Sequence, residues 1–138
     1  MGNSFKGGFR GLEVWKQARL FRQHISEDCK EFPQEEKYLL CAQLRDSSRS
    51  VTANMAEGYG RFNFQETTQF FRQSRGSLNE TLDHLITAYD EGYISKDKLT
   101  ERELHYELVL KLINGYISFL QKSKSSAQTN SPESRLKK

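Results

Sequence analysis

The chain has 138 residues, enough for one hydrophobic core and too few for two comfortable domains. Hydrophobic residues make up 36% and charged residues 28%, with nine glycines and only two prolines, which excludes fibrous and low-complexity classes and favours a charged, helix-rich domain. The formal net charge is +3, but five of the 21 basic residues lie from Lys122 onward against Glu133 alone, so residues 1–121 hold 16 basic and 17 acidic groups.

The first predicted helix spans 11–31: Val14, Ala18, Phe21, Ile25 and Cys29 recur at four and three residues, with Leu12 and Trp15 widening the face. Phe32-Pro33 breaks the pattern. Pro33 followed by Glu35 and Glu36 reads as the start of a second helix over 33–59, since the ring presets φ and carboxylates favour the positive end of the helix dipole. Leu40, Leu44, Ser47, Val51 and Met55 form its buried stripe, its middle is rich in small residues, and it ends at Gly58-Tyr59-Gly60. Asn63 with Glu66 is a capping box opening a third helix over 64–91, striped by Phe71, Ser74, Leu78, Leu82, Leu85 and Tyr89 and stopped by Gly92. Gly76 inside it is expected where backbones pack closely.

The fourth helix, 96–122, opens at Ser95 or Thr100 and carries Tyr106, Val109, Ile113, Tyr116 and Leu120. A second stripe of Leu108, Leu112 and Phe119, with Leu110 and Ile117 on a further side, gives it more apolar surface than one bundle face covers. The segments 1–10 and 123–138 read as a flexible start and a disordered basic tail around a bundle domain at 11–122. Four amphipathic helices with short links predict an all-α, antiparallel up-down-up-down bundle.

No apolar run reaches the roughly 20 residues that cross a bilayer, and the N-terminus lacks a signal-peptide core, so a cytoplasmic protein without membrane contact is expected. In that compartment Cys29 and Cys41 read as small apolar residues. His24, His84 and His105 lie on three helices without ligand spacing, no serine has a catalytic setting, and Gly58-Tyr59-Gly60 lacks the strand and lysine of a phosphate loop. Neither metal, cofactor nor enzymatic activity is expected. The suggestive feature is cationic: Arg45, Arg49, Arg61, Arg72 and Arg75 lie on both sides of the second turn, where folding is expected to gather some of them for phosphate contact. Tyr59, Phe62 and Phe64 are available to stack on bases. The competing reading is a solvated face partly neutralised by Asp46, Glu57 and Glu66. Basic residues also concentrate in 1–26 and acidic ones in 77–110, an asymmetry suited to head-to-tail contacts that close a ring.

The runs Phe9-Arg10-Gly11-Leu12-Glu13-Val14-Trp15, Phe32-Pro33-x-x-Glu36, Gln43-Leu44-Arg45, Asn54-Met55-Ala56-Glu57-Gly58-x-Gly60-Arg61, Gly76-Ser77-Leu78-x-Glu80 and Gly92-Tyr93-Ile94 resemble, in order and spacing, the four-helix-bundle family named for 23S ribosomal RNA intervening sequences. The resemblance covers about residues 9–121 and implies a bundle that assembles into pentameric rings. It extends distantly to the accessory variability proteins of diversity-generating retroelements, which implies RNA, DNA or a nucleic-acid enzyme such as a reverse transcriptase as partner. Within the motif, Trp15, Pro33, Asn54, Glu57, Gly58, Gly60 and Gly76 read as architecture: Asn54 and Glu57 bond each other or the turn, Arg61 pairs with Glu57, and the glycines free the backbone. This chain has Asp46 where the family often has a second arginine. The expectation is a homo-oligomeric, non-enzymatic scaffold or adaptor that binds RNA or nucleoprotein; the alternative is a protein-only interaction module.

Overall fold

A computed structural model describes residues 8–129, with side chains to residue 123. Four helices, and no strand among the described residues, make up the fold: α1 (Glu13–Cys29), α2 (Leu40–Tyr59), α3 (Phe64–Asp90) and α4 (Lys96–Thr129). Short 3-10 turns occupy Phe9–Gly11 and Gln34–Glu36. Helix α1 packs on α2 and α4, and α3 packs on the same two, with the α2–α3 interface the most extensive. Each helix therefore turns one stripe inward. The recurring positions fill the core: Phe21 and Ile25 of α1, Leu44, Val51 and Met55 of α2, Phe71, Leu78 and Leu85 of α3, and Val109 and Ile113 of α4 are all fully buried. Ile117 joins them, although the sequence placed it on a further side of its helix.

The helix starts and stops show where local chemistry prevails. Asn63 Oδ1 accepts the Glu66 amide at 2.7 Å and caps α3. At the other end Gly92, at φ +80, adopts the left-handed conformation that stops the helix. The Tyr93 amide then donates to the Ala88 carbonyl and the Gly92 amide to that of Tyr89, which satisfies carbonyls the helix leaves open. Ser95, rather than Thr100, caps α4 through its Oγ, which accepts the Lys98 amide at 3.1 Å.

Four expectations need correction. The second helix starts at Leu40, not Pro33: the proline opens only a 3-10 turn, and Leu39 (φ −116, ψ −101) departs from helical backbone. Glu36 explains the delayed start, because its Oε1 accepts the Leu40 amide at 3.2 Å while its Oε2 accepts the Tyr93 hydroxyl at 2.8 Å. One carboxylate caps α2 from outside and fastens it to the α3–α4 turn.

The fourth helix continues through Thr129 rather than stopping at 122, since no glycine or proline interrupts the chain between Gly115 and Pro132. Phe9 and Arg10 belong to a 3-10 turn, and Phe9 meets Trp15 edge to face at 5.2 Å between ring centroids. Residues 1–7 and 130–138, which hold the rest of the expected flexible start and basic tail, lie outside the described residues. Finally, Gly76 is exposed, and a Cβ placed on it meets nothing within 4 Å. The close approach is at Gly58, where a Cβ would collide with Phe70 Cβ and lie 3.1 Å from its Cγ.

Candidate functional site

The motif Asn54–Arg61 forms the last turns of α2 and the link to α3. Asn54 does not bond Glu57; its Nδ2 donates to the Ser50 carbonyl at 2.9 Å and lies 3.0 Å from Ser50 Oγ, which in turn lies 2.8 Å from Ser77 Oγ on α3. Arg61 does pair with Glu57, at 3.1 Å, and its guanidinium lies 4.8 Å from the Phe70 ring centre. Both partners of that pair are substantially exposed, so it contributes about 0–1 kcal/mol. Gly60 has φ −91 and open space around it, so neither a positive φ nor crowding requires a glycine there.

These contacts belong to a seam of hydroxyls and small residues along α2 and α3. Ser74 Oγ donates to the Val51 carbonyl at 2.8 Å, and Thr67 Oγ1 to that of Gly58 at 3.0 Å. Thr81 Oγ1 lies 2.8 Å from both Ser47 Oγ and the Ser77 carbonyl. Every one of these side chains is short, which brings the helix backbones close enough for a side chain on one to bond the main chain of the other.

The five arginines do not gather at one end. Arg61 is engaged by Glu57 at the turn, and Arg75 donates to Asn114 Oδ1 on α4 at 2.7 Å. Arg72 lines a cleft of about 610 Å³ between the start of α3 and the stretch of α4 at Leu120 and Gln121, beside Phe64 and Gln69. Arg45 and Arg49 lie on the opposite side, toward α1: Arg45 lines a small cavity with Cys29 and Lys30. Arg49 acts electrostatically on Arg22. Phe62 is fully exposed at the α2–α3 turn, and Phe64 is 38% exposed.

Arg19 and Arg22 complete the cation group on the α1–α2 face. Burial, then Arg19 and then Arg49, lower the Arg22 pKa from its ordinary value, and its Nε is buried without a hydrogen-bond partner. Arg19 lies over Trp15 at 5.7 Å from the ring centre. Arg19 and Arg49 thus both act against the charge of Arg22 on this face, a source of positive potential. In the sequence Arg19 and Arg22 belong to the basic segment 1–26, with nothing in their spacing to join them to Arg49. The usable signal was phase: Arg19 and Arg22 follow Ala18 and Phe21 of the buried stripe by one residue each.

A second arrangement escaped the sequence reading. Asp28, at the end of α1, accepts from Arg102 Nε at 2.6 Å and from its Nη2 at 2.9 Å, and both side chains are about 5% exposed. The Asp28 bonds raise the Arg102 pKa against the opposing effect of burial. Each residue continues an apolar stripe, Asp28 three after Ile25 and Arg102 four before Tyr106. Nearby, burial and the His24 ring lower the His105 pKa, and its Nε2 has no partner.

Among the described residues, no three His, Cys, Asp or Glu side chains group as metal ligands, and no helix is long and apolar enough to cross a membrane. On α4, Leu104 is 69%, Leu108 41% and Phe119 57% exposed, and Leu20 of α1 is 43% exposed. Phe119, Leu112 and Tyr116 line an apolar groove with Leu12 and Val14.

No curated protein matches the sequence. The family model of the 23S rRNA-intervening sequence proteins matches residues 10–115, which takes in α1, α2, α3, the Asn54–Arg61 motif and more than half of α4. With four helices, a capped α2–α3 turn and a match over most of its length, the chain belongs to the 23S rRNA-intervening sequence protein family.

Proposed function

We propose that this protein is a non-enzymatic, homo-oligomeric scaffold or adaptor of the cytoplasm that binds RNA or a nucleoprotein through the arginines of its α1–α2 face. The observation that carries the reading is the grouping of Arg19, Arg22 and Arg49, in which Arg19 and then Arg49 disfavour the charge on Arg22 and a bound polyanion relieves that cost. Arg45 extends the face, and the chain's basic C-terminal residues add counter-charge. The protomer in this reading is an antiparallel, up-down-up-down bundle. Counter-running pairs support that topology: Ser47 with Thr81 and Ser50 with Ser77, Arg75 with Asn114 and Asn79 with Tyr106.

The exposed leucines of α4 with Leu20 support self-association, and the assembly in this reading is a ring of five copies. RNA, DNA or a reverse-transcriptase-like enzyme is the partner class in this reading. Titration with single-stranded RNA at low and at moderate salt is the test. Affinity should fall steeply with salt, and the paired substitutions Arg45→Ala and Arg49→Ala should weaken it about tenfold or more while lowering the salt slope by roughly two. No binding of RNA or DNA at low salt overturns the reading. The apolar groove at Leu12, Leu112 and Phe119 favours a second reading, a protein-only interaction module, which predicts a partner retained after nuclease treatment.

A further inference from the structure

The link between α1 and α2 folds the two cysteines of the chain onto each other. Cys29 is the last residue of α1 and Cys41 the second of α2, and the Phe32-Pro33 break with the 3-10 turn returns the chain between them. The Cys41 thiol points at the Cys29 carbonyl, 3.6 Å away, and the Cys29 thiol at the Cys41 carbonyl, 4.0 Å away. Each thiol thus lies against the main chain of the other cysteine across the helix interface, and the Cys41 side chain is close enough to act directly on the Cys29 thiol. Both residues are free thiols, 4% and 3% exposed. A cavity of about 180 Å³, lined by both cysteines together with Phe32, Pro33, Lys37 and Arg45, lies beside them.

We propose that Cys29 and Cys41 form a reversible thiol–disulfide site, oxidised by a low-molecular-weight disulfide and reduced by a dithiol. In the forward direction the thiolate of one cysteine attacks a sulfur of the small disulfide and releases one small thiol. The second cysteine then displaces the other small thiol from the mixed disulfide. The protein loses two protons and two electrons, the small disulfide is reduced to two thiols, and a Cys29–Cys41 bond forms. The cross-link joins the last residue of α1 to the first turn of α2 and closes a short loop, so it removes conformational freedom chiefly from the unfolded chain. Burial, followed by the neighbouring Cys41, pushes the Cys29 thiol up to about 12, so little thiolate is present at neutral pH and oxidation is slow.

The test uses the full chain incubated at neutral pH with oxidised glutathione, then denatured under acid and examined by mass spectrometry and thiol titration. The expected product is lighter by two hydrogen atoms, has no free thiol, carries a peptide cross-linked through Cys29 and Cys41, and melts at a higher temperature than the reduced protein. Dithiothreitol should reverse every change. Two persisting thiols, a stable glutathione adduct on either cysteine, or a cross-link between chains overturns the proposal. With Cys41→Ala, oxidant should give no rise in Tm; a rise equal to that of the unsubstituted chain also overturns it. Should that variant fail to fold, the mass and cross-link of the unsubstituted chain decide the matter alone.

Discussion

Gly58 and Gly76 both sit inside helices, and alanine at the two positions should move stability in opposite directions. At Gly58 the added Cβ collides with Phe70 Cβ and comes within 3.1 Å of Cγ and 3.3 Å of Cδ2. Rotating the Phe70 ring cannot clear a clash with its own Cβ, which the α3 backbone holds, so the two helices must separate. Such overpacking costs about 1–3 kcal/mol, and stretching the Thr67–Gly58 and Ser74–Val51 bonds adds roughly 1 more. Alanine's better helix propensity returns about 1 kcal/mol. The net expectation for Gly58→Ala is a loss of about 2 kcal/mol, or a fall in Tm of roughly 8 °C at about 4 °C per kcal/mol for this chain length. At Gly76 nothing opposes the methyl group, so Gly76→Ala should gain about 0.5–1 kcal/mol and raise Tm by a few degrees. Urea and thermal unfolding followed by far-ultraviolet circular dichroism measure both. A Gly58→Ala protein as stable as the parent, or two variants that shift in the same direction, would refute the packing argument. Trimming Phe70 to alanine retains its Cβ and should not rescue Gly58→Ala.

Asp28→Ala strands the Arg102 guanidinium in the core with only the exposed Glu101 carboxylate, and should cost about 3–5 kcal/mol in urea unfolding. The double substitution Asp28→Leu with Arg102→Met should recover most of that loss, and a double variant as unstable as Asp28→Ala would contradict the assignment. The lowered His105 pKa makes the unfolded chain bind protons more readily than the native one below the ordinary histidine value, so this residue stabilises less as pH falls below about 6.5. His105→Leu should therefore narrow the difference between urea midpoints at neutral pH and at pH about 5.5, and an unchanged difference would remove His105 as its source. If the exposed leucines of α4 mediate the proposed self-association, Leu104→Glu with Leu108→Glu should leave the helical content intact while shifting mass in light scattering toward the monomer; an unaltered mass would remove these leucines as an interface.

Helical periodicity carried most of the fold, because a stripe such as Val14, Ala18, Phe21, Ile25 and Cys29 has one way to hide from water and the structure buries all five. The Asn63–Glu66 cap was legible for the same reason: its partners are three residues apart. The start of α2 was misread because its cap, Glu36, acts from outside the helix and is held by Tyr93, 57 residues away. Gly76 was misread because composition shows where a backbone is free to approach but not whether a neighbour does so. For the arginines, position along the chain was a poor guide to company. Arg45 and Arg61 are on the same helix hairpin yet 16 residues apart, about 24 Å along a helix, whereas Arg49 meets Arg22 across two helices.

The hydroxyl seam also has a bearing on the order in which the chain folds. Its bonds join residues as few as 9 apart at Thr67 and Gly58 and 27 apart at Ser50 and Ser77, whereas the Asp28–Arg102 bridge must close 74 residues. Loop closure is therefore least demanding for the segment from Leu40 to Asp90, where the bonds also fix which turn of one helix faces which turn of the other. That segment is suited to act as the folding nucleus, with α1 and α4 condensing on it from opposite ends of the sequence.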